Sequence, residues 1–226
     1  MSDRVIAIDG PAGSGKSTTA KAVAKELGLA HLDSGALYRA LTLASQEENL
    51  PLDGAVLANW AREAPIELRL RDSAYVPSIH GRDVSNEIRS EKVTGAVSAV
   101  AALGEVRDWV NWALGRAAGL HPRGVVVDGR DIGTVVFPGA KLKVFLVASP
   151  GARARRRVMD MGLEPEPETV DRVEAEIAAR DWADSSREIA PLQKAADAVE
   201  IDTTDMEFLE QVARVAELAR AAFKTP

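Results

Sequence analysis

The stretch Gly10-Pro11-Ala12-Gly13-Ser14-Gly15-Lys16-Ser17 constrains the chain more than any other. It satisfies G-x-x-x-x-G-K-[ST] and stands between a short apolar run, Val5 to Ile8, and a helical segment, Ser17 to Leu27, that Gly28 stops. That order reads strand, loop, helix. Glycines let backbone N–H groups converge on phosphate oxygens, and the start of the helix adds positive potential. Lys16 can then reach β and γ phosphates, while Ser17 can hold Mg²⁺.

Four later runs read as buried strands: Ala30 to Asp33, Val125 to Asp128, Leu142 to Ala148 and Ala198 to Asp202. Their alternation with helical segments predicts an α/β parallel sheet with ligands at the carboxyl ends of its strands. Ile66 to Ile79 breaks that rhythm, alternating cleanly and turning at Asp72-Ser73, which predicts a half-exposed antiparallel hairpin. Asp160 to Thr169 separates two charged helical segments, as a connector or a mobile lid. Trp109 and Trp112 are expected in the core. The stripe Phe208, Leu209, Val212, Val215, Leu218, Ala219, Ala222 and Phe223 is expected to make the last helix a cover for the sheet.

Composition removes several classes of function. With 28 Lys+Arg against 34 Asp+Glu, the net charge of −6 excludes a global basic field, so nucleic acid and membrane surfaces are not expected partners. No cysteine is present, which excludes thiolate metal sites and cysteine nucleophiles. The run after Met1-Ser2-Asp3-Arg4 is too short for a signal peptide, and no stretch approaches a membrane span. A cytoplasmic protein is expected. No Asn-Lys pair exists to start the N-K-x-D motif of switch GTPases.

Val125-Val126-Val127-Asp128-Gly129-Arg130-Asp131 sets two carboxylates and a guanidinium just past a buried strand, where Asp128 could orient water around Mg²⁺. Leu32-Asp33-Ser34-Gly35-Ala36-Leu37-Tyr38-Arg39 ends another strand, so Ser34 and Arg39 could reach a second anion. Arginines recur at 130, 153, 155, 156, 157, 180 and 187. Guanidinium forks can clamp the charge that spreads over a transferring phosphoryl group. His31, His80 and His121 lack metal spacing and are expected to be surface or satisfied interior residues.

These residues resemble the bacterial-type cytidylate (CMP) kinases, in the nucleoside monophosphate kinase branch of phosphate-loop proteins. The likeness covers nearly the whole chain. It rests on 10–18, 32–39, Asp83-Val84-Ser85 with Ile88-Arg89, Asp128 to Pro138, Arg180-Asp181 with Asp184-Ser185-Ser186-Arg187, and Pro191-Leu192 followed by Ala196-Asp197-Ala198. The resemblance implies a single domain over 1–226, with a five-stranded parallel phosphate-loop kinase core and helices on both faces. It also implies a monophosphate-binding segment, 36–95, enlarged by a small antiparallel β insert at about 64–82, and a helical lid, 153–180. The implied activity moves the γ-phosphoryl group of ATP to CMP or dCMP, with Mg²⁺ brought by ATP, in a monomer acting on small molecules alone.

Carried over motif by motif, ATP would be bound by Gly10, Pro11, Ala12, Gly13, Ser14, Gly15, Lys16, Ser17 and Thr18, with Arg153, Arg156 and Arg157 approaching its phosphates from the lid. Ser34, Arg39 and Arg130 would contact the acceptor's phosphate. Ser98, Arg107 and Asp131 would read cytosine, while Arg180 and Asp184 would hold the pentose with Arg187 near the acceptor. Lys16, Arg130, Arg157 and Arg187 would be the catalytic cations, and Ser17 and, through water, Asp128 the metal contacts. Two departures stand out: Gly151-Ala152 replace the acidic residues common at that helix start, and Met159 to Glu168 is acidic where the family is often lysine-rich. The rivals are a kinase for another small acceptor and a non-catalytic ATP switch; acceptor-dependent turnover separates all three.

Overall fold

The structure, a computed structural model, describes residues 4–63 and 66–224. The readings of Met1 to Asp3 and of the insert's start at 64 lie outside the described residues. In chain order these form β1 (Val5–Asp9), α1 (Lys16–Leu27), β2 (Ala30–Asp33), α2 (Ser34–Glu47), α3 (Gly54–Glu63), β3 (Ile66–Arg71), β4 (Ala74–Ile79) and β5 (Arg82–Asp83). There follow α4 (Glu91–Ala101), α5 (Gly104–Leu120), β6 (Val125–Gly129), β7 (Leu142–Val147), α6 (Pro150–Asp160), α7 (Pro167–Ser185), β8 (Val199–Asp202) and α8 (Phe208–Lys224).

Two-residue alternation in the buried strands decides the layers. Val5, Ala7, Val125 and Val127 pack with Leu37, Leu57, Val106 and Leu114 of α2, α3 and α5 on one face. Ile6, Ile8, Val126, Val144 and Ile201 pack with Val23 of α1 and Val215 of α8 on the other. The expected five parallel strands are adjacent in the order β2-β6-β1-β7-β8. Register aligns Ile8 with Asp128 and Asp128 with Asp33, so the polar strand ends converge at one edge.

The hairpin forms as expected, from Ile66↔Ile79 to Arg71↔Ala74, with Asp72 at φ 55 in its turn. The sheet nevertheless has eight strands, because β4 also pairs in parallel with β2 through His31↔Ala74 and β5 adds to β4. The insert therefore extends the core sheet. A second tight turn, at His80 (φ 48) and Gly81 (φ 79), brings β5 back.

Two expectations of burial need correction. Trp109 is in the core, but Trp112 is 56% exposed, with the Arg116 guanidinium 5.1 Å from its ring centre. Three residues further along α5, the side chain has rotated past the apolar face and is covered by a cation instead. On α8, Val212, Val215 and Ala219 are buried, whereas Leu209 is 78% exposed and Phe208 and Phe223 are exposed as well. The ends of that helix overrun the sheet it covers. Among the described residues, no helix is long and apolar enough to cross a membrane.

Candidate active site

The loop after β1 is built by glycine. Gly10, Gly13 and Gly15 have φ of 149°, 74° and 84°, and a Cβ at Gly10 would lie 2.1 Å from the Leu146 carbonyl oxygen. Gly15 caps α1 without any side-chain hydrogen bond, which leaves the amides of the first turn to an anion. Lys16 is buried and its Nζ donates to the Pro11 carbonyl at 2.6 Å. Burial, and then the Arg130 guanidinium, hold its ammonium well below the usual lysine range.

Asp128 is the hub at the end of β6. Its Oδ2 accepts from Ser17 Oγ at 2.5 Å, its Oδ1 lies 2.7 Å from His31 Nε2, and its backbone carbonyl accepts from Ser34 Oγ at 2.8 Å. Burial pulls the Asp128 carboxyl upward, but the bond and charge of His31, then Ser17, outweigh it and leave it below the usual range. His31 is correspondingly raised, Asp128 overcoming the opposing effect of burial. His31 is thus a satisfied interior residue, as expected; its partner arises only from the pairing of β2 with β6. A hydroxyl and a carboxylate beside the loop are hard oxygen donors, which suits Mg²⁺ held in part by nucleotide phosphates.

A second cluster of charged side chains begins just beyond the end of β6. Arg107 on α5 and Asp131 form a buried ion pair, and a second Arg107 nitrogen donates to the Ala101 carbonyl at 3.0 Å. The guanidinium lies 5.5 Å from the centre of the Tyr38 ring. Asp184 on α7 accepts from Arg130 Nε at 2.9 Å and from its near neighbour Arg187 through its backbone carbonyl at 3.2 Å. Arg39 donates to the Ile88 carbonyl at 3.1 Å and to Thr94 Oγ1 at 2.8 Å. Burial, then neighbouring cations, lower Arg39 and Arg180 to about 10.

Most of these charged side chains face one cleft of about 350 Å³. It brings together Ala12, Gly13, Gly15, Lys16, Ser17 and Thr18 of the loop with Ser34, Arg39, Ser98, Arg107, Asp128, Arg130, Asp131, Arg157, Arg180, Asp184 and Arg187. Gly10, Pro11 and Ser14 belong to the loop but do not line the cleft. Tyr38, Thr94, Asp160 and Glu176 also line the cleft. Tyr38 lies within the motif 32–39; the other three carry no local sequence signal.

The lid arginines separate. Arg157 faces the cleft. Arg156 donates to both the hydroxyl, at 3.0 Å, and the carbonyl of Thr203, next to the loop but off the cleft wall. Arg153, expected to approach donor phosphates, instead donates to the Ala12 carbonyl at 2.9 Å and pairs with Asp181. Its guanidinium is engaged with the protein's own backbone because α6 packs directly against the loop: a Cβ at Gly13 would lie 2.9 Å from the Arg153 carbonyl oxygen.

A profile described as Cytidylate kinase matches residues 6–221. The chain is 45% identical over 215 residues to the cytidylate kinase of Geobacillus sp. (strain WCH70), covering 94% of this chain and 95% of that one. It is 41% identical over 214 residues to the cytidylate kinase of Lactobacillus johnsonii, with 94% and 92% covered. Against the bifunctional pantoate ligase/cytidylate kinase of Synechocystis sp., identity is 47% over 219 residues, covering 95% of this chain and 42% of that longer protein.

Proposed function

Because the chain belongs to the cytidylate kinase family, and so phosphorylates CMP with ATP, we propose that its cleft works by gathering cations around two facing phosphates. The observation that carries this reading is one continuous cleft joining the phosphate loop, through Arg130, Arg180 and Arg187, to the buried Arg107–Asp131 pair.

On this reading the loop amides and Lys16 take the donor phosphates, and Arg157 closes on them from α6. Arg156, beside Thr203, supports the donor side. Ser17 and, through water, Asp128 would hold the Mg²⁺ that accompanies ATP, which would supply charge compensation to the phosphates. Ser34, Arg39 and Arg130 hold the acceptor phosphate. That group is largely dianionic near neutral pH, so no side chain need remove a proton before attack. In-line positioning and charge compensation do the work.

Cytosine is read by chemistry that uracil reverses. Its N4 amino group donates to a carboxylate, and its O2 and N3 accept from a guanidinium or hydroxyl, which suits Asp131, Arg107 and Ser98. Uracil would set O4 against Asp131 and N3–H against a donor, each mismatch costing roughly 1–3 kcal/mol. Asp184 and Arg180 hold the pentose. dCMP is a second acceptor on this reading, the segment 36–95 forms the acceptor side, the stretch 153–180 the lid, and the working form is a cytoplasmic monomer. The test is ADP release from ATP and Mg²⁺ with CMP, dCMP, UMP, AMP or GMP. CMP is expected to give the highest kcat/KM; ADP release independent of acceptor would overturn the reading.

A further inference from the structure

One residue of the phosphate loop is gripped from three sides by the helices of the lid. The Ala12 N–H donates to Asp181 Oδ1 at 2.8 Å, its C=O accepts from Arg153 Nη1 at 2.9 Å, and its methyl group packs with Ala154, Val158, Val170, Val173 and Ile177. Asp181 and Arg153 are themselves ion-paired. Neither belongs to the cation cluster around the acceptor.

The Pro11–Ala12 peptide is the informative part. A trans peptide is planar and directs its C=O and N–H to opposite sides, so fixing one fixes the other. Asp181 holds the N–H of this peptide, and its C=O is the group that accepts from Lys16 Nζ at 2.6 Å. Ser14 Oγ adds a donation to the same oxygen at 3.0 Å. The carboxylate on α7 therefore sets the direction of the carbonyl on which the loop lysine rests.

We propose that Asp181 is a positioning residue for phosphoryl transfer, acting on Lys16 through the Pro11–Ala12 peptide, with Arg153 holding the carboxylate in place. This rests on the kinase reading above. Asp181 touches neither substrate on that reading; it fixes where the ammonium starts from and how far the loop can turn. Arg180 and Asp184, on the same last turns of α7, face the acceptor half of the cleft. One rigid helical end thus carries both the grip on the donor loop and part of the acceptor wall.

The test is a double-mutant cycle on binding of a non-hydrolysable ATP analogue with Mg²⁺, followed by calorimetry, using wild type, Asp181→Ala, Lys16→Ala and the double variant. A residue acting through Lys16 loses its effect once Lys16 is gone. Asp181→Ala is expected to weaken the analogue about tenfold in the wild-type background, the size of a lost charge-assisted hydrogen bond, and less than about twofold in the Lys16→Ala background. Turnover of Asp181→Ala should show the same selectivity, with KM for ATP raised and KM for CMP within about twofold of wild type.

Equal weakening in both backgrounds, or equal rises in both KM values, would overturn the proposal, because a merely structural role predicts those outcomes. If Asp181→Ala fails to fold, Asp181→Leu, which fills the same space with no acceptor, takes its place in the cycle and the same two outcomes decide. Failure of the kinase reading itself would register separately, as absence of CMP-dependent ADP release in the wild type.

Discussion

On the proposed reading Asp131 carries the base selectivity, and a single atom exchange can probe it. Its carboxylate is buried against Arg107, so truncation to alanine would strand a guanidinium and mix folding with recognition. Asp131→Asn avoids most of that: the amide keeps an oxygen to accept the cytosine N4 proton and offers an NH₂ to uracil O4. The ratio of kcat/KM for CMP over UMP is expected to fall by roughly 10–100-fold, the worth of one buried polar mismatch. An equal loss for both acceptors would remove Asp131 from base reading. Lys16 differs, since on that reading its contribution lies at the transferring group whatever the base. Lys16→Ala should lower kcat with CMP on the order of 100–1000-fold while leaving the CMP/UMP ratio unchanged, measured by coupled ADP release.

Asp9 ties two elements together at the carboxyl edge of the sheet. Its Oδ1 and Oδ2 accept from the amides of Ile132 and Gly133 at 2.9 and 2.7 Å, capping the wide turn 132–136 that follows Arg130 and Asp131. Burial outweighs those two amides and lifts its carboxyl to about 6. A raised carboxyl contributes stability that is complete below its unfolded value of about 3.8 and is lost as pH climbs through about 6. Between pH 5 and 7.5 the wild type should therefore lose about 1 kcal/mol relative to Asp9→Asn, which has nothing to titrate there. Urea melts at the two pH values measure this; a constant difference would show that Asp9 is not the titrating group. Nothing in the sequence marked Asp9, which reads as the polar end of a strand, because its partners lie more than a hundred residues away. Distance along the chain, though shorter, likewise hid the pairing of His31 with Asp128 and the joining of β4 to β2. What was legible was local: the loop glycines, the period-two strands, the hairpin turn at Asp72-Ser73 and the stop at Gly28. Arg153 bonds the Ala12 carbonyl and Asp181 instead, because a family resemblance brings an arginine near the phosphate loop without saying whether it faces the ligand or the loop's own backbone.

Across the whole molecule, an acidic chain of net charge −6 concentrates positive charge in one place. Lys16, Arg39, Arg130, Arg157, Arg180 and Arg187 share the cleft, and Arg180 Nε and Arg187 Nη2 are buried without a hydrogen-bond partner. Arg130, Arg39 and Arg157 add to burial in lowering Arg180 to about 10, so part of the folding free energy is held against mutual repulsion. Multivalent anions that enter the cleft should relieve this repulsion, whereas chloride at equal ionic strength only screens it. At 100 times its Kd a ligand adds about 2.7 kcal/mol, which for a chain of this size corresponds to roughly 5–10 °C in Tm. CMP with a non-hydrolysable ATP analogue is expected to reach that range, and inorganic phosphate to give a smaller rise that exceeds the rise with chloride. Arg180→Ala separates site binding from bulk salt effects, since it removes one of the crowded cations. Its melting temperature without ligand should hold or increase while its response to phosphate shrinks. Scanning calorimetry of both proteins in phosphate and in chloride reads the outcome; an undiminished phosphate response in the variant would mean that the stabilising anion binds somewhere other than this cleft.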